Sequence, residues 1–300
     1  MVEISAKLVN ELRAVTGAGL MDCKRALEES QGDIERAKEI LRIKGKTIAE
    51  KKSGRTANEG LAYTWVSDDY SKALMFELNC ETDFVARNED FRNLAEEIAL
   101  AIRKSPLMSE TQLITDSNTL ASIPAKDNSS VGDLITDAVQ RIRENIQLSR
   151  CAILSLSADE DVVNSYVHLD GKIGVLVGIK AGVRTPENLP ALLQLAKDLC
   201  LQIAATDPIA ISREDVPAEV LEREKRVIRE QTLAEGKPEN LIDKIVEGRL
   251  NKFYQESVLL EQEFVKEEKR KVKQVIEAMD KTIGVSPTIV KFFRFQVGAG

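Results

Sequence analysis

Histidine is close to absent from this 300-residue sequence, and His168 is the only one. A Ser-His-Asp or Cys-His arrangement would have to run through that single imidazole. It falls in an expected strand beside a hairpin turn, where a partner contact and an ordinary surface imidazole compete with catalysis. Cys23, Cys80, Cys151 and Cys200 stand far apart with no C-x-x-C pair, so a metal site lacks ligands and reduced, buried thiols are expected. A glycine-rich phosphate loop is missing too. Gly17-Ala18-Gly19 follows a helical pattern rather than a strand and lacks a third glycine, which reads as a turn between helices. No cofactor is implied. No stretch approaches the roughly 20 apolar residues of a membrane-spanning helix, and the opening eight residues lack the apolar core of a signal peptide. The expected location is therefore cytoplasmic, or an organelle of bacterial type after loss of a transit peptide, with no membrane partner. The 42 basic against 49 acidic residues leave a net charge of -7, which disfavours a broad phosphate-tracking surface and hence direct nucleic-acid binding.

What is present is ordinary globular material, 43% hydrophobic and 30% charged, in a chain long enough for about two domains. Ile4, Leu8 and Leu12 share a helical face, and Leu20, Cys23 and Leu27 begin a second after the glycine turn. Asp33 is placed to cap a third helix with Ile34, Ala37, Ile40 and Leu41 on its buried stripe. Arg42, Lys44, Lys46, Lys51, Lys52 and Arg55 then read as a basic linker, a solvated tether or a contact for an acidic partner, so residues 1–54 form a three-helix bundle with linker.

Residues 55–147 read as a first core unit. Two strand-like runs, 61–66 and 72–80, flank a polar turn, and Asn88 can cap a helix with Phe91, Leu94, Ala95, Ile98 and Ile102 on one face. Val131, Leu134, Ile135, Ala138, Val139, Ile142 and Ile146 form a further helical stripe. The pairs Glu96-Glu97 and Asp68-Asp69 read as a solvated helix face and a turn rather than acid–base machinery. Residues 148–208 read as the start of a second unit, with strands at 148–156, 162–169 and 172–180, a two-residue type I′ turn at Asp170-Gly171, and an apolar helix from Leu192 to Ile203. Residues 209–257 are charged and helical, broken at Gly236-Lys237-Pro238, where Pro is expected in the first turn of the second helix. The sparse apolar positions there suit a projecting antiparallel hairpin whose narrow stripes a second copy of the chain could complete. Residues 258–300 return to the second unit and end in a strand with Ile289, Lys291, Phe293, Phe295 and Val297 on one face. The fold class is α+β.

The segment from Cys80 to Asn88 is harder to assign to folding alone. Thr82 and Asp83 can cap a turn, and Phe84 with Val85 can cover the core. Alternatively Phe84 is an apolar wedge on a rigid strand-to-helix turn, able to enter a partner. The run Leu12-Arg13 through Thr16-Gly17-Ala18-Gly19-Leu20-Met21-Asp22-Cys23-Lys24 and the run Thr82-Asp83-Phe84-Val85-Ala86 resemble the bacterial-type elongation factor Ts family. Gly174-Val175-Leu176-Val177, Val246-Glu247-Gly248-Arg249 and Phe293-Arg294-Phe295 carry the same resemblance in the same order along nearly the whole chain.

The resemblance implies a guanine nucleotide exchange factor for elongation factor Tu, without an active site of its own. It implies a ubiquitin-associated-like bundle, a two-part core and a helical hairpin used for dimerisation. Thr82, Asp83, Phe84 and Val85 would enter the GTPase near its phosphate and Mg²⁺ site, with Phe84 wedged between partner side chains. Arg13, Met21, Ile142 and His168 would add partner contacts. Two departures stand out: Arg143 replaces a glycine common in relatives, and the further helical module that many relatives carry beyond the last strand is not in this sequence. The alternative from another class is a ubiquitin-associated-like adaptor without exchange activity, which accounts for the first 45 residues and leaves Phe84 idle.

Overall fold

Side-chain capping by Ser5 and Asp33 starts two of the first three helices of the computed structural model, which describes residues 4–236 and 238–299. Met1, Val2, Glu3, Lys237 and Gly300 lie outside the described residues. Helix α1 (Ala6–Thr16) begins where the Ser5 side chain accepts from the Leu8 N–H at 3.2 Å, and ends at Gly17, which takes the left-handed conformation at φ 64°. Helices α2 (Leu20–Glu29) and α3 (Ile34–Lys52) close a small core of Leu12, Cys23, Leu27, Ala37 and Leu41. The basic segment is not a loose tether. Arg42, Lys44, Lys46, Lys51 and Lys52 all continue α3, and Arg42 and Lys52 reach the core unit, to Asp133 at 3.0 Å and the Arg143 carbonyl at 2.5 Å. Those contacts supply the helix with partners that composition alone cannot show.

Strands β1 (Glu59–Val66) and β2 (Lys72–Cys80) are followed by α4 (Asp83–Ala86), α5 (Glu89–Lys104), β3 (Gln112–Ile114), α6 (Ser117–Ala121), α7 (Val131–Ile142) and β4 (Gln147–Ser155). These strands form one antiparallel sheet in the order β1-β2-β4-β3. The strand expected to open the second unit thus belongs to the first, with Cys151 opposite Phe76. The reason lies in β2, which is buried along nearly its whole length and needs a ladder on both edges. β1 covers one edge, and β4 returns to cover the other. The boundary at 147/148 therefore moves beyond β4.

The second sheet, β5-β6-β7, comprises β5 (Asp161–His168), β6 (Ile173–Lys180) and β7 (Thr288–Gln296). The β5–β6 connection is longer than a two-residue turn. Pairing closes at His168 opposite Ile173, and Leu169 and Asp170 both adopt positive φ, 49° and 53°. Strand β7 also departs from its expected alternation. A register shift opposite Gly178 and Ile179 leaves Val290 as an extra residue, so Ile289 packs on the helix side with Phe292 while Phe293, Phe295 and Val297 face the first sheet. One inserted residue reverses the facing of everything before it.

Those inward residues join Ala62, Met75, Ala152, Leu154, Val163 and Leu176 to form a core between the sheets. Gly174 is required there: a Cβ at that position would stand 2.6 Å from Met75 Sδ and 2.8 Å from Ala62 Cβ. Helices α5 and α7 cover the outer face of the first sheet, and α8 (Leu189–Thr206) with later segments covers the second, giving four layers. The four cysteines are all reduced and buried, Cys23 in the bundle, Cys80 and Cys151 in the first core and Cys200 in the second.

Helices α9 (Ala218–Ala234) and α10 (Glu239–Ser257) pack against each other, and α11 (Val272–Ile283) returns the chain to the second unit. Pro238 is the N-cap of α10 rather than a residue of its first turn, and the predicted break includes Lys237, outside the described residues. Ile228, Thr232 and Ile242 are buried between the two helices, whereas Val227, Leu233 and Leu241 face outward. At the base Arg213 pairs with Glu261 at 2.6 Å and lies over the Tyr254 ring at 4.4 Å. Among the described residues no helix is long and apolar enough to cross a membrane.

Candidate functional site

The end of β2 runs directly into one helical turn. Thr82 is extended (φ -128°, ψ 152°), and its hydroxyl accepts from the Val85 N–H at 3.4 Å, capping α4. At 100° per residue this turn sends Val85 and Ala86 inward and Asp83 and Phe84 outward. Ala86 is buried, and Val85 packs against the core below α5. Phe84 is 82% exposed, the most exposed of the large apolar side chains among the described residues. Of the two readings left open for this pair, core cover holds for Val85 and not for Phe84. Asp83 pairs with Arg87 at 3.5 Å, and Asn88 caps α5 by accepting from the Asp90 N–H at 2.8 Å.

Behind the turn lies a segment that sequence reasoning missed. The Glu144 carboxylate accepts from the Glu81 N–H at 3.1 Å, the Thr82 N–H at 3.0 Å and the Thr82 hydroxyl at 2.7 Å. In return the Glu81 carboxylate accepts from the Asn145 N–H at 2.7 Å. That bond, with Arg55 nearby, holds the Glu81 carboxyl below the usual range. The Asn145 side chain is buried and donates to the Arg55 carbonyl at 2.7 Å. Two irregular segments, far apart in sequence and with no period to announce them, are thus cross-linked.

The adjacent Arg143 stands where the resemblance leads one to expect glycine. It caps α7 in the left-handed conformation at φ 68°, where glycine is the unstrained choice. Its side chain reaches Asp22 at 2.7 Å, and Lys44 reaches the same carboxylate at 2.6 Å. These hydrogen bonds, Lys44 first, lower the Asp22 pKa against the opposing effect of burial. Met21, beside Asp22, is exposed, so the bundle presents an apolar side chain close to the anchoring segment. A Cβ on Gly17 would come within 2.5 Å of Arg141 Cδ, which shows how closely the bundle lies on α7. Arg13 is exposed on the last turn of α1. Ile142 ends α7 half-buried, part of its surface packed on the first core.

His168 is exposed at the end of β5, with the Tyr166 hydroxyl 2.9 Å from Nδ1. The neighbouring Asp170 pairs with Arg92 of α5 at 2.8 Å, which links the hairpin tip to the helix that follows the Phe84 turn. A groove of about 300 Å³ lies here, lined by Tyr63, Thr64, Arg92, Glu96, Val167 and Asp170. The Tyr63 hydroxyl donates to Glu96 at 2.6 Å; burial first, and then that carboxylate, push the Tyr63 pKa up. Glu97 pairs with Lys126, so the expected solvated carboxylate pair is two separate contacts.

Comparison with known proteins gives this surface a context. The family model described as elongation factor TS matches residues 81–299, beginning at the head of the Phe84 turn. The chain belongs to the elongation factor Ts family. It is similar, at 51% identity over 300 residues and 98% of both chains, to elongation factor Ts of Aquifex aeolicus. Elongation factor Ts of Prosthecochloris aestuarii is 42% identical over the full length of both, and that of Clostridium botulinum 42% identical over 99% of this chain and 94% of its own. These full-length matches include the N-terminal bundle that the family model leaves out. Family membership makes the chain a nucleotide exchange factor acting on elongation factor Tu in translation elongation.

Proposed function

We propose that the turn at residues 82–85 is the part of the chain that drives GDP release from elongation factor Tu. The observation that carries this is the outward Phe84: an aromatic left in water on a turn whose other side chains face the core, are hydrogen-bonded or are ion-paired. Its ring enters the GTPase near the phosphate and Mg²⁺ site, with Thr82, Asp83 and Val85 fixing its approach. The phosphate-binding backbone of a GTPase holds GDP only while its N–H groups and the metal are correctly aimed. A factor that binds better to the misaligned state shifts the partner toward it, and GDP leaves.

Arg13 and Met21 on the bundle, Ile142 beside the anchoring segment and His168 on the second unit add partner contacts around this centre. The chain needs no cofactor and performs no bond chemistry: it is not an enzyme but a reagent of conformational change. It acts in the cytoplasm without membrane or direct nucleic-acid contact, and self-associates through the α9–α10 hairpin. An adaptor that uses only the bundle leaves the braced Phe84 turn without a task.

The test is release of labelled GDP from purified elongation factor Tu. Truncating a buried aromatic anchor costs at least about 2 kcal/mol, roughly thirty-fold in an equilibrium constant. Phe84→Ala should therefore slow catalysed release by an order of magnitude or more while the protein remains folded. An unchanged rate would remove the wedge.

A further inference from the structure

We propose that Glu144 is the positioning residue of the Phe84 turn, an inference that rests on the wedge reading above. A four-residue helix has no intrinsic stability, because helix nucleation costs more than so few hydrogen bonds return. On one side the ladder ends early: β1 follows β2 to Cys80, but the last pair between β2 and β4 is Asn79 opposite Gln147. Beyond it the two chains are joined by side chains instead. Glu144 takes both N–H groups and the hydroxyl at residues 81 and 82, and Glu81 takes the N–H of Asn145. The cross-link sets both the height and the direction of the chain as it enters α4.

The hydroxyl contact has a second effect. Because Thr82 gives its proton to Glu144, its lone pairs remain for the Val85 N–H, and the cap that turns Phe84 outward depends on a carboxylate more than sixty residues away. Charge-assisted acceptance of this kind is stronger and more directional than a neutral bond. The preceding residue, Arg143, holds Asp22 of the bundle, so one short segment positions the Met21 face and the Phe84 turn together. Glu144 itself is half-buried behind the turn, and its role is to aim the ring rather than to touch the partner.

The test is a double-mutant cycle in the GDP-release assay, using full-length chain and purified elongation factor Tu. Glu144→Ala should lower the maximal release rate about tenfold, since misplacement by about 1 Å can cost up to a hundredfold. The concentration giving half the maximal rate should change less than about threefold, with Glu144→Gln falling between because it keeps one acceptor oxygen. The combined Glu144→Ala/Phe84→Ala chain should be no slower than Phe84→Ala alone. Additive losses, or a full maximal rate for Glu144→Ala beside a slow Phe84→Ala, would overturn the assignment. A full rate for Phe84→Ala would overturn the wedge reading first and this one with it. If Glu144→Ala does not fold, the same cycle with Glu144→Gln decides.

Discussion

The Phe84 turn and the α9–α10 hairpin both leave apolar side chains in water, yet they are held in opposite ways. The turn is four residues long and cross-linked from behind by Glu144 and Asn145. The hairpin is two helices of 17 and 19 residues, with its firmest ties at the base, where Arg213 meets Glu261 and Tyr254. A braced aromatic can push on a partner because the reaction force passes into a packed sheet. A long lever with a narrow apolar stripe cannot push, but it can pair. Exposure of an apolar group therefore acquires meaning only from what stands behind it.

The sharpest way to break this contrast is to compare Phe84 with Phe91, seven residues on and fully buried on the inner face of α5. Phe91→Ala should cost about 3–5 kcal/mol of stability. Phe84→Ala should change it by no more than about 0.5 kcal/mol, as for other surface positions. Thermal melting of the two variants checks this, and a large drop for Phe84→Ala would return that ring to the core. A middle-sized effect is expected on assembly. Replacing residues 209–257 by a short Gly/Ser linker should leave GDP release within about twofold and move sedimentation from dimer toward monomer, because it removes the stripe proposed to pair with a second copy. Loss of exchange in a folded deletion would instead give the hairpin a direct role on the GTPase.

The smallest effect distinguishes the cross-link itself. The folded pKa of Glu81 is depressed, so its contribution is fully present above the unfolded value and is lost as pH falls through the folded one. The Asn145 amide resonance should therefore titrate with a midpoint below about 4.3, the ordinary glutamate value. A midpoint at or above that value would mean that the carboxylate is not held.

Much of the helical framework was legible because burial there follows a single period. The stripe from Phe91 to Ile102 and most of the one from Val131 to Ile146 needed no knowledge of distant partners, although the second helix ends at Ile142, where Arg143 turns left-handed, and Ile146 lies beyond it. The longer strands are legible, but the three-residue β3 is not, and their sorting into sheets is poor. Nothing in residues 147–155 says that their neighbour is β2 rather than β5, since pairing is a long-range choice, and one inserted residue at Val290 defeated the alternation of β7. At the site, the four residues of the turn stood out by resemblance, whereas periodicity could not divide Phe84 from Val85. Glu144 carried no local signal at all, because three hydrogen bonds from an irregular segment leave no pattern in its neighbours.

The separated thiols turn the molecule into its own set of clocks. Burial raises the pKa of Cys23, pushes Cys80 and Cys151 up to about 12, and raises that of Cys200 as well, so the folded chain offers almost no thiolate to an alkylating reagent. Alkylation must wait for local opening, and thiols in different parts wait for different events. Cys23 times the bundle, Cys80 and Cys151 the first sheet, and Cys200 the helix over the second. The order in which the four acquire label ranks the parts of the molecule by how readily they come apart, without a single added probe.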